Sequence, residues 1–275
     1  MEEKDYYLRE LSLNDWEKFH EMDKLIFQED FLREEGFRRS LTGLKSLIVV
    51  AVEKETKNFI GYYRIAIYGR EGHIQTIGVH PDYRRKGVGS HLLERSIYQL
   101  EKSGCINYFL YVQINNTPAI NLYKKYGFQE ETKSWQFVVP FDRLPNKPRG
   151  KCRHVEWGEI QLLSLRFNVN PLQIQQYFGK KEQYVLVYEM LGQQLGFARF
   201  NPAFPGAFPF ILKDSNYFLD MVAILKSYIS QKNFTEMKIT FENQGRLVNY
   251  LKEQKIPLNY SLLKMRKEKD DNSTK

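Results

Sequence analysis

The segment from Val79 to Ser90, VHPDYRRKGVGS, carries the residue types that bind an anion. It contains Arg84, Gly87 and Gly89 in an R-x-x-G-x-G spacing, between a predicted strand and a predicted helix. Glycines let the backbone approach a ligand closely, and the N–H groups of a helix N-terminus attract negative charge. Three consecutive side chains add full positive charges: Arg84, Arg85 and Lys86. The pattern predicts a pyrophosphate-binding loop, and a basic turn before an ordinary helix is the alternative.

A second segment, Val112 to Phe128, reads VQINNTPAINLYKKYGF. Thr117 is a predicted N-cap, Pro118 suits the first helical turn, and Gly127 follows the last turn. One face of this predicted helix carries Ala119, Leu122 and Tyr123. The segment therefore predicts a strand end followed by a short helix that packs one face on a core.

Together the two segments resemble the Gcn5-related N-acetyltransferase (GNAT) family. Its members carry an R/Q-x-x-G-x-G/A loop and, further on, a V-x-x-x-N-x-x-A-x-x-L-Y-x-x-x-G-F pattern, and both fit this sequence. The two motifs are separated by one predicted helix and one predicted strand, as in that family. The resemblance spans about Asp5 to Leu144 and implies an acyltransferase enzyme.

The resemblance implies that two parallel strands, His73–Val79 and Ile106–Val112, splay apart and that acetyl-coenzyme A lies in the opening. Strand backbone would pair with the pantetheine arm, loop amides from Arg85 to Ser90 would hold the pyrophosphate, and Asn116 would hold the arm from the other side. The implied cofactor-binding residues are Ile77, Gly78, Val79, Arg84, Arg85, Lys86, Gly87, Val88, Gly89, Ser90, Asn116 and Tyr123. No metal is implied.

The implied reaction is direct transfer of the acetyl group to a primary amine in a ternary complex. Its rate would come from holding amine and thioester together, and from N–H groups beside Val79 directed at the thioester oxygen. Tyr123 matches the family tyrosine that donates a proton to the leaving thiolate, at the family's own spacing from Asn116. The alternative is a core aromatic residue that only packs.

The general base departs from the family pattern. Many members place a glutamate four residues before the valine at the strand end, and that position is Gln75, whose amide cannot accept a proton. His73 is the predicted base, because its ordinary pKa suits proton transfer near neutral pH. Glu71, ordered water with a substrate carboxylate, and an inert His73 at a strand start remain alternatives.

Acceptor binding is expected in the segment from Ile26 to Phe37, IFQEDFLREEGF, which mixes aromatic and acidic residues. Such a segment could attract a cationic amine to the cleft. Asp30, Phe31 and Gln75 are the candidate acceptor contacts. The alternative is the solvated face of an amphipathic helix, which is the commoner outcome for a run of charges.

The elements that must position these residues follow from periodicity and turn signals. Before the first motif, the sequence predicts a strand, a helix beginning at Trp16, a second helix and a hairpin. The predicted strands and second helix are Tyr6–Leu11, Asp30–Ser40, Leu47–Val52 and Phe59–Ile67. After a turn at Arg70–Gly72, a strand, a helix from Gly89 to about Gly104 and a second strand form a crossover unit, so the two strands should be parallel. The fold class is α/β (α+β), with a mixed, mostly antiparallel sheet flanked by helices.

The second half of the chain repeats the first weakly. The sequence FIGYYRI at Phe59 recurs as QLGFARF at Gln194, and Asn116 is matched by Asn243. Predicted strands and helices in this half suit the same fold, but Ile211–Asp220 has no glycine with which to rebuild an anion loop. We therefore predict a degenerate second GNAT-like domain that packs on the first, shapes the acceptor site or forms a homodimer interface. The Phe200–Phe210 segment, FNPAFPGAFPF, would line a wall or plug the defunct cleft.

The predicted domains are a catalytic domain at 1–144, a linker at 145–151, the degenerate domain at 152–266 and a disordered tail at 267–275. The linker prediction rests on RLPNKPRGK, which interrupts the apolar pattern with prolines, a glycine and cations. Two short matches between the halves suggest duplication without proving it.

Composition limits the function classes. The 275 residues include 42% hydrophobic residues, enough for real cores, and carry a net charge of +8. That excess lacks the dense clustering of a dedicated nucleic-acid binder. The two cysteines, Cys105 and Cys152, have no metal or disulfide spacing, and no run of about 18 apolar residues predicts a membrane helix. A soluble, cytoplasmic protein without a membrane partner is expected.

Two other function classes remain open at the level of sequence. A non-catalytic acyl-coenzyme A sensor would fit the absence of the family glutamate at Gln75. An aminoacyl-tRNA-dependent transferase would fit a tandem fold and a basic chain, but relatives of that kind generally lack the intact cofactor loop.

Overall fold

A computed structural model describes residues 4–28, 31–43, 45–180, 183–231 and 233–269. Its strands, numbered in chain order, are β1 (Tyr6–Glu10), β2 (Ser46–Glu53), β3 (Phe59–Tyr68), β4 (Glu71–Val79), β5 (Asn107–Gln113), β6 (Gln129–Pro140), β7 (Lys151–His154), β8 (Tyr184–Met190), β9 (Gln193–Asn201), β10 (Gly206–Leu212), β11 (Glu236–Glu242) and β12 (Leu258–Glu268). Its helices are α1 (Trp16–Phe27), α2 (Glu34–Thr42), α3 (Val88–Lys102), α4 (Thr117–Lys125), α5 (Ile160–Phe167), α6 (Pro171–Gln175), α7 (Phe218–Ser227) and α8 (Gly245–Glu253).

Contacts divide the described chain into two compact units. The first takes its residues from Met1–Val112, Asn116–Glu130 and Met265–Lys275, and the second from Gln113–Asn115 and Glu131–Lys264. Each unit therefore uses residues from both halves of the sequence. Boundaries at residues 144 and 152 remain a prediction.

In the first unit the strand order is β1-β2-β3-β4-β5, followed by the last residues of β12. β1 to β4 are antiparallel neighbours, while β4 and β5 are parallel. β2 is apolar along nearly its whole length because it is buried on both faces, and Ile48, Val50 and Val52 pack with residues of α1 and α2. This mixed, mostly antiparallel arrangement confirms the predicted fold class.

The parallel strands of the first unit fork. Among the described residues, registered pairs between β4 and β5 run from Glu71 with Asn107 to Ile74 with Leu110 and end there. β4 continues along β3 as far as the pair of Val79 with Gly61. A one-residue bulge lies at the point where the fork opens. The predicted splayed pair is confirmed.

The second unit, considered by itself, repeats this fork. Its strands lie in the order β12-β6-β11-β10-β9-β8-β7, beginning with Leu258–Lys264 of β12. The parallel pairs of β10 with β11 are Gly206 with Lys238 and Ala207 with Ile239, while β10 continues beside β9 to Leu212. A register shift between Ala207 and Phe210 marks the opening. The predicted duplication of the fold is confirmed.

Some boundaries in the first unit differ from the predictions. α2 begins at Glu34 rather than Asp30, and Asp30 lies outside the described residues. β4 begins at Glu71 because the preceding turn uses Gly69, whose φ of 66° is the left-handed conformation that glycine accepts readily. Asn116, not Thr117, is the N-cap of α4, since its side chain accepts the Ala119 N–H at 3.2 Å.

The predicted linker and tail are both more ordered than expected. The backbone N–H groups of Arg149 and Gly150 donate to the buried Asp220 carboxylate at 2.6 and 2.9 Å, so the linker segment is anchored to the second unit. Lys267 and Glu268 belong to β12, and the Lys269 N–H donates to the Ile106 carbonyl at 2.8 Å. The strand therefore extends into the predicted tail, which was expected to begin at residue 267, and residues 270–275 lie outside the described chain.

Gly61 allows β3 to approach the open arm of the fork. A Cβ atom there would lie 2.7 Å from the Gly78 carbonyl oxygen, which is backbone and cannot move aside cheaply. We expect Gly61→Ala to reduce the free energy of unfolding by about 1 to 3 kcal/mol. Gly158→Ala is the control, because a Cβ at Gly158 meets nothing within 4 Å. Equal urea-unfolding midpoints for the two variants would contradict the close approach.

Candidate functional site

The loop between β4 and α3 has the backbone shape of an anion-binding turn. Arg85 and Gly87 take positive φ angles of 61° and 78°, and α3 begins at the next residue, Val88. At any helix N-terminus the first N–H groups have no acceptor inside the helix, and successive amides with alternating conformation form a concave nest. The loop amides are therefore available to a ligand.

The loop side chains leave this nest open and positively charged. Arg84, Arg85, Lys86 and Gly87 are exposed. The Arg84 Nε donates to the Val79 carbonyl at 3.2 Å, which ties the loop to the end of β4. The Lys86 ammonium lies 5.3 Å from the ring centre of Tyr83, whose hydroxyl donates to Glu53 at 2.7 Å. An anionic ligand could therefore reach this loop from solvent and would contact three positively charged side chains.

The hydrogen-bond pattern between β3 and β4 determines which peptide groups of β4 face the fork. The His80 N–H donates to the Ile60 carbonyl at 2.9 Å, which makes this a hydrogen-bonded pair of the antiparallel ladder. Alternation along the ladder then turns the peptide groups of Val79 and Ile77 away from β3 and into the fork. Gly78 is turned toward β3 instead, and its missing side chain gives room to Phe27, 3.0 Å from the position of a Cβ. Within the predicted trio, Ile77 thus offers its N–H and carbonyl to the opening, and Val79 offers its N–H, since the Val79 carbonyl accepts from Arg84.

Tyr123 is held on α4 by a well-capped helix start. Asn116 caps the helix, Pro118 stands in its first turn, and the Tyr123 ring packs edge-on against Phe128 with centroids 6.1 Å apart. The side chain is only 9% exposed, and this burial raises the pKa of Tyr123 to about 12. Its phenol therefore stays protonated near neutral pH, as a proton donor must.

The candidate base lies at the closed end of the fork. His73 pairs with Phe109 across the parallel strands, and its ring stacks on that of Phe109 with centroids 4.3 Å apart and edge-on to Tyr111. Gln75 is the extra residue at the bulge, since Ile74 and Thr76 take consecutive partners on β3. The Glu71 carboxylate accepts from Arg266 at 2.8 Å.

The acceptor segment is described only in part. Phe31 packs edge-on against His20 with centroids 5.1 Å apart, and the Lys24 ammonium lies 5.4 Å from its ring centre. These contacts hold Phe31 against α1. Asp30 lies outside the described residues.

Asp23 is a buried carboxylate next to the acceptor segment that sequence reasoning missed. Its carboxylate is fully buried and accepts from the Tyr62 hydroxyl and the Leu32 N–H, each at 2.6 Å. It therefore fastens the start of the segment after α1 to β3. The available signal was its position four residues after Phe19, a core residue on the same face of α1, where a carboxylate needs a partner.

Among the residues that the structure describes, no helix is long and apolar enough to cross a membrane. No group of three or more histidine, cysteine, aspartate or glutamate side chains among them could hold a metal ion.

A forked parallel pair beside a basic, glycine-containing helix start defines the class of acyl-coenzyme A N-acyltransferase folds. A sequence profile described as "Acetyltransferase (GNAT) family" matches residues 8–128. Residues 8–128 are therefore similar to this family, and they make up somewhat less than half of the chain.

Relatives in sequence share part of this domain. The chain is 45% identical over 62 residues to the [Ribosomal protein bS18]-alanine N-acetyltransferase of Escherichia coli K12, covering 22% of this chain and 42% of that protein. It is 34% identical over 70 residues to N-alpha-acetyltransferase 30 of Xenopus laevis, covering 26% of each. The match spans less than two thirds of either relative.

Solved structures are similar over almost the whole chain. A GCN5-related N-acetyltransferase from Sphaerobacter thermophilus gives a TM-score of 0.71 at 14% identity, covering 99% of both chains. A tandem GNAT protein from the clavulanic acid biosynthesis pathway gives 0.66 at 13% identity, covering 96% of this chain and 98% of that one. At this identity the similarity establishes the fold alone.

The buried Asp23 should make stability depend on pH. Burial raises the pKa of Asp23, so the folded chain binds a proton at this site more tightly than the unfolded chain does. The contribution of Asp23 to the free energy of unfolding is then greatest at low pH. It falls as pH rises through the unfolded-state pKa of 3.8 toward the raised folded-state pKa. We expect Asp23→Asn, which cannot ionise, to gain stability relative to the natural chain as pH rises from about 4 toward the raised folded pKa.

The measurement is urea unfolding across that pH range, with Asp23→Ala as a companion. The alanine leaves the Tyr62 and Leu32 donors without their acceptor and should cost about 2 kcal/mol or more. A pH-independent difference between the Asn variant and the natural chain would contradict a raised pKa for Asp23.

Proposed function

We propose that the N-terminal domain transfers the acetyl group of acetyl-coenzyme A to a primary amine by direct attack in a ternary complex. The observation that carries the proposal is the continuity of the fork with the basic loop. Peptide groups of Ile77 and Val79 face the opening, and the nest of N–H groups begins a few residues later along the same chain. A ligand with an extended amide arm and a diphosphate matches both features.

The fit of this cofactor rests on the chain's own groups. Amides from Arg85 to Ser90 would hold the diphosphate, with Arg84, Arg85 and Lys86 adding charge. Ile77 and Val79 would pair with the arm as though it were an added strand. Asn116 would approach the arm with its amide N–H groups, because its side-chain oxygen already caps α4. When bound, the cofactor supplies an activated thioester.

The chain's contribution to the reaction is positioning and proton transfer. The fork would hold the thioester near its closed end, close to the amine that enters from the acceptor side. As the amine nitrogen bonds to the acyl carbon and the carbon–sulfur bond breaks, Tyr123 would give its proton to the departing sulfur. Burial raises the pKa of Tyr123 to about 12, so its phenol still carries the proton when the carbon–sulfur bond breaks.

His73 is the base that we propose for the amine proton. It lies on the last stretch of paired strand before the fork opens, next to the bulge at Gln75. Glu71 is less suited because its carboxylate already accepts a hydrogen bond from Arg266 at 2.8 Å. Phe31, Gln75 and Asp30 remain the proposed acceptor contacts.

The acceptor that we propose is an amine on a peptide or protein. The support is the local similarity to enzymes whose names specify N-alpha-acetylation and acetylation of a ribosomal-protein alanine. A cytoplasmic location would suit such an acceptor. A small-molecule amine is the alternative acceptor, and the same thiol-release assay would reveal it. A homodimer is a separate proposal about assembly.

One observation favours a second candidate, a non-catalytic acyl-coenzyme A sensor. Gln75 replaces the usual acid, and the nearby Glu71 is already paired with a cation. A protein that bound the cofactor tightly and acetylated no amine would fit these two features.

Tyr123→Phe tests the proposed enzyme. We expect acetyl-coenzyme A to release free thiol in the presence of N-terminal peptides, and the variant to slow this release by about a hundredfold or more. Cofactor affinity should stay within about twofold, because the phenyl ring keeps the packing on Phe128. The measurement is thiol release alongside a cofactor titration.

Tyr126→Phe is the matched control. Tyr126 ends the same helix, but its hydroxyl donates to Glu94 at 2.6 Å, and the variant should keep the natural turnover. Tight cofactor binding without turnover of any peptide or small amine would favour the sensor, and absence of binding would remove both candidates.

A further inference from the structure

Gln244 makes a paired contact with the open arm of the second unit's fork. The Leu212 N–H donates to the Gln244 Oε1 at 2.8 Å, and the Gln244 Nε2 donates to the Phe210 carbonyl at 2.8 Å. One side-chain amide thus satisfies a donor and an acceptor on residues two apart along β10. This is the bonding that a neighbouring strand would make.

The peptide groups that Gln244 occupies correspond to those that face the fork of the first unit. The Lys213 N–H donates to the Leu195 carbonyl at 2.9 Å, as the His80 N–H does to Ile60. Alternation along the ladder then turns the peptide groups of Leu212 and Phe210 away from β9. Within its own unit, Phe210 therefore occupies the position that Ile77 has in the first unit, and Leu212 occupies the position of Val79.

The register of each unit supports this correspondence independently. Leu212 pairs with Gly196 as Val79 pairs with Gly61. Parallel pairing ends at Ala207 in the second unit and at Ile74 in the first, in each case just before the bulge. The distance from the fork's closed end to the bonded peptide groups is therefore the same in both units, counted in residues.

Gln244 comes from the segment that would contact the arm from the opposite side. It directly precedes α8, as Asn116 precedes α4, but its side chain makes no cap bond to α8. Its amide is committed to β10 instead. The chain between Leu212 and α7 also contains no glycine, so it lacks the residues that give the first loop its nest.

We infer that the Gln244 side chain takes the place of a pantetheine amide in the second fork, so that the chain binds one acyl-coenzyme A rather than two. The inference rests on the proposed function, because the proposed pairing of Ile77 and Val79 defines what the arm would bond to. An entering arm would have to break both Gln244 bonds and leave that amide, which is shielded from much of the solvent, without partners. The Gln244 side chain thus occupies the backbone groups of the second fork that a cofactor arm would need.

Titration of the full chain with coenzyme A tests the stoichiometry. The expected result is one molecule per chain by isothermal calorimetry. Two molecules per chain would overturn the inference while leaving the proposed function intact. If coenzyme A does not bind at all, the proposed function is overturned. The hydrogen-exchange measurement below would then decide whether Gln244 makes its contact with β10.

Amide-resolved hydrogen exchange tests the contact itself. The Leu212 N–H should exchange slowly whether or not coenzyme A is present, while the Val79 N–H should become protected only when it is added. Gln244→Ala should speed exchange at Leu212 by about tenfold, since it removes the acceptor. Exchange at Ile239, a fully buried residue of β11, should not change and serves as the reference for global unfolding.

Gln254→Ala is the matched control. Gln254 is the same residue type at the other end of α8, it is exposed, and its contact with Tyr250 is made by backbone. Its variant should leave Leu212 exchange as in the natural chain. Equal Leu212 exchange rates in the natural chain and Gln244→Ala, or protection of Leu212 that appears only with coenzyme A, would overturn the inference.

Discussion

A peptide group on a β-strand can bond to one neighbour on each side, and the first unit leaves one side of β4 without a strand. β3 stays paired with β4 up to Val79, while the parallel partner β5 is registered only as far as Ile74. The backbone groups beyond that point face an opening, and unpaired peptide groups are costly unless water or a ligand satisfies them. Gly61, Gly78 and the bulge at Gln75 make this geometry sterically feasible. The proposed cofactor site follows from that unequal pairing.

In the second unit, a side chain rather than a strand satisfies the peptide groups that face the fork. Its strands fork at the corresponding residue, yet Gln244 meets the exposed peptide groups of Phe210 and Leu212. A single amide side chain and a connection without glycine distinguish the second fork from the first.

Local sequence signals predicted much of the first unit. The R-x-x-G-x-G loop and the helix with Tyr123 are short motifs whose geometry is set by neighbouring residues, so their strands and helices could be placed from spacing alone. The partners of Asp23 and Gln244 could not be recognised, because they lie far away in sequence: Tyr62 for Asp23, and Phe210 and Leu212 for Gln244. The extension of β12 to Glu268 was missed for a related reason, since KE at its end is polar and its partner lies at Ile106.

The last residues of β12 have a consequence for how the protein is made. Met265–Glu268 belong to the unit whose other described residues come mostly from the first 130 positions. During translation, the edge of β5 therefore stays unpaired until β12 leaves the ribosome, more than a hundred residues later. Until then the nascent first unit presents an uncovered sheet edge, the kind of surface that chaperones shield and that other nascent chains can pair with.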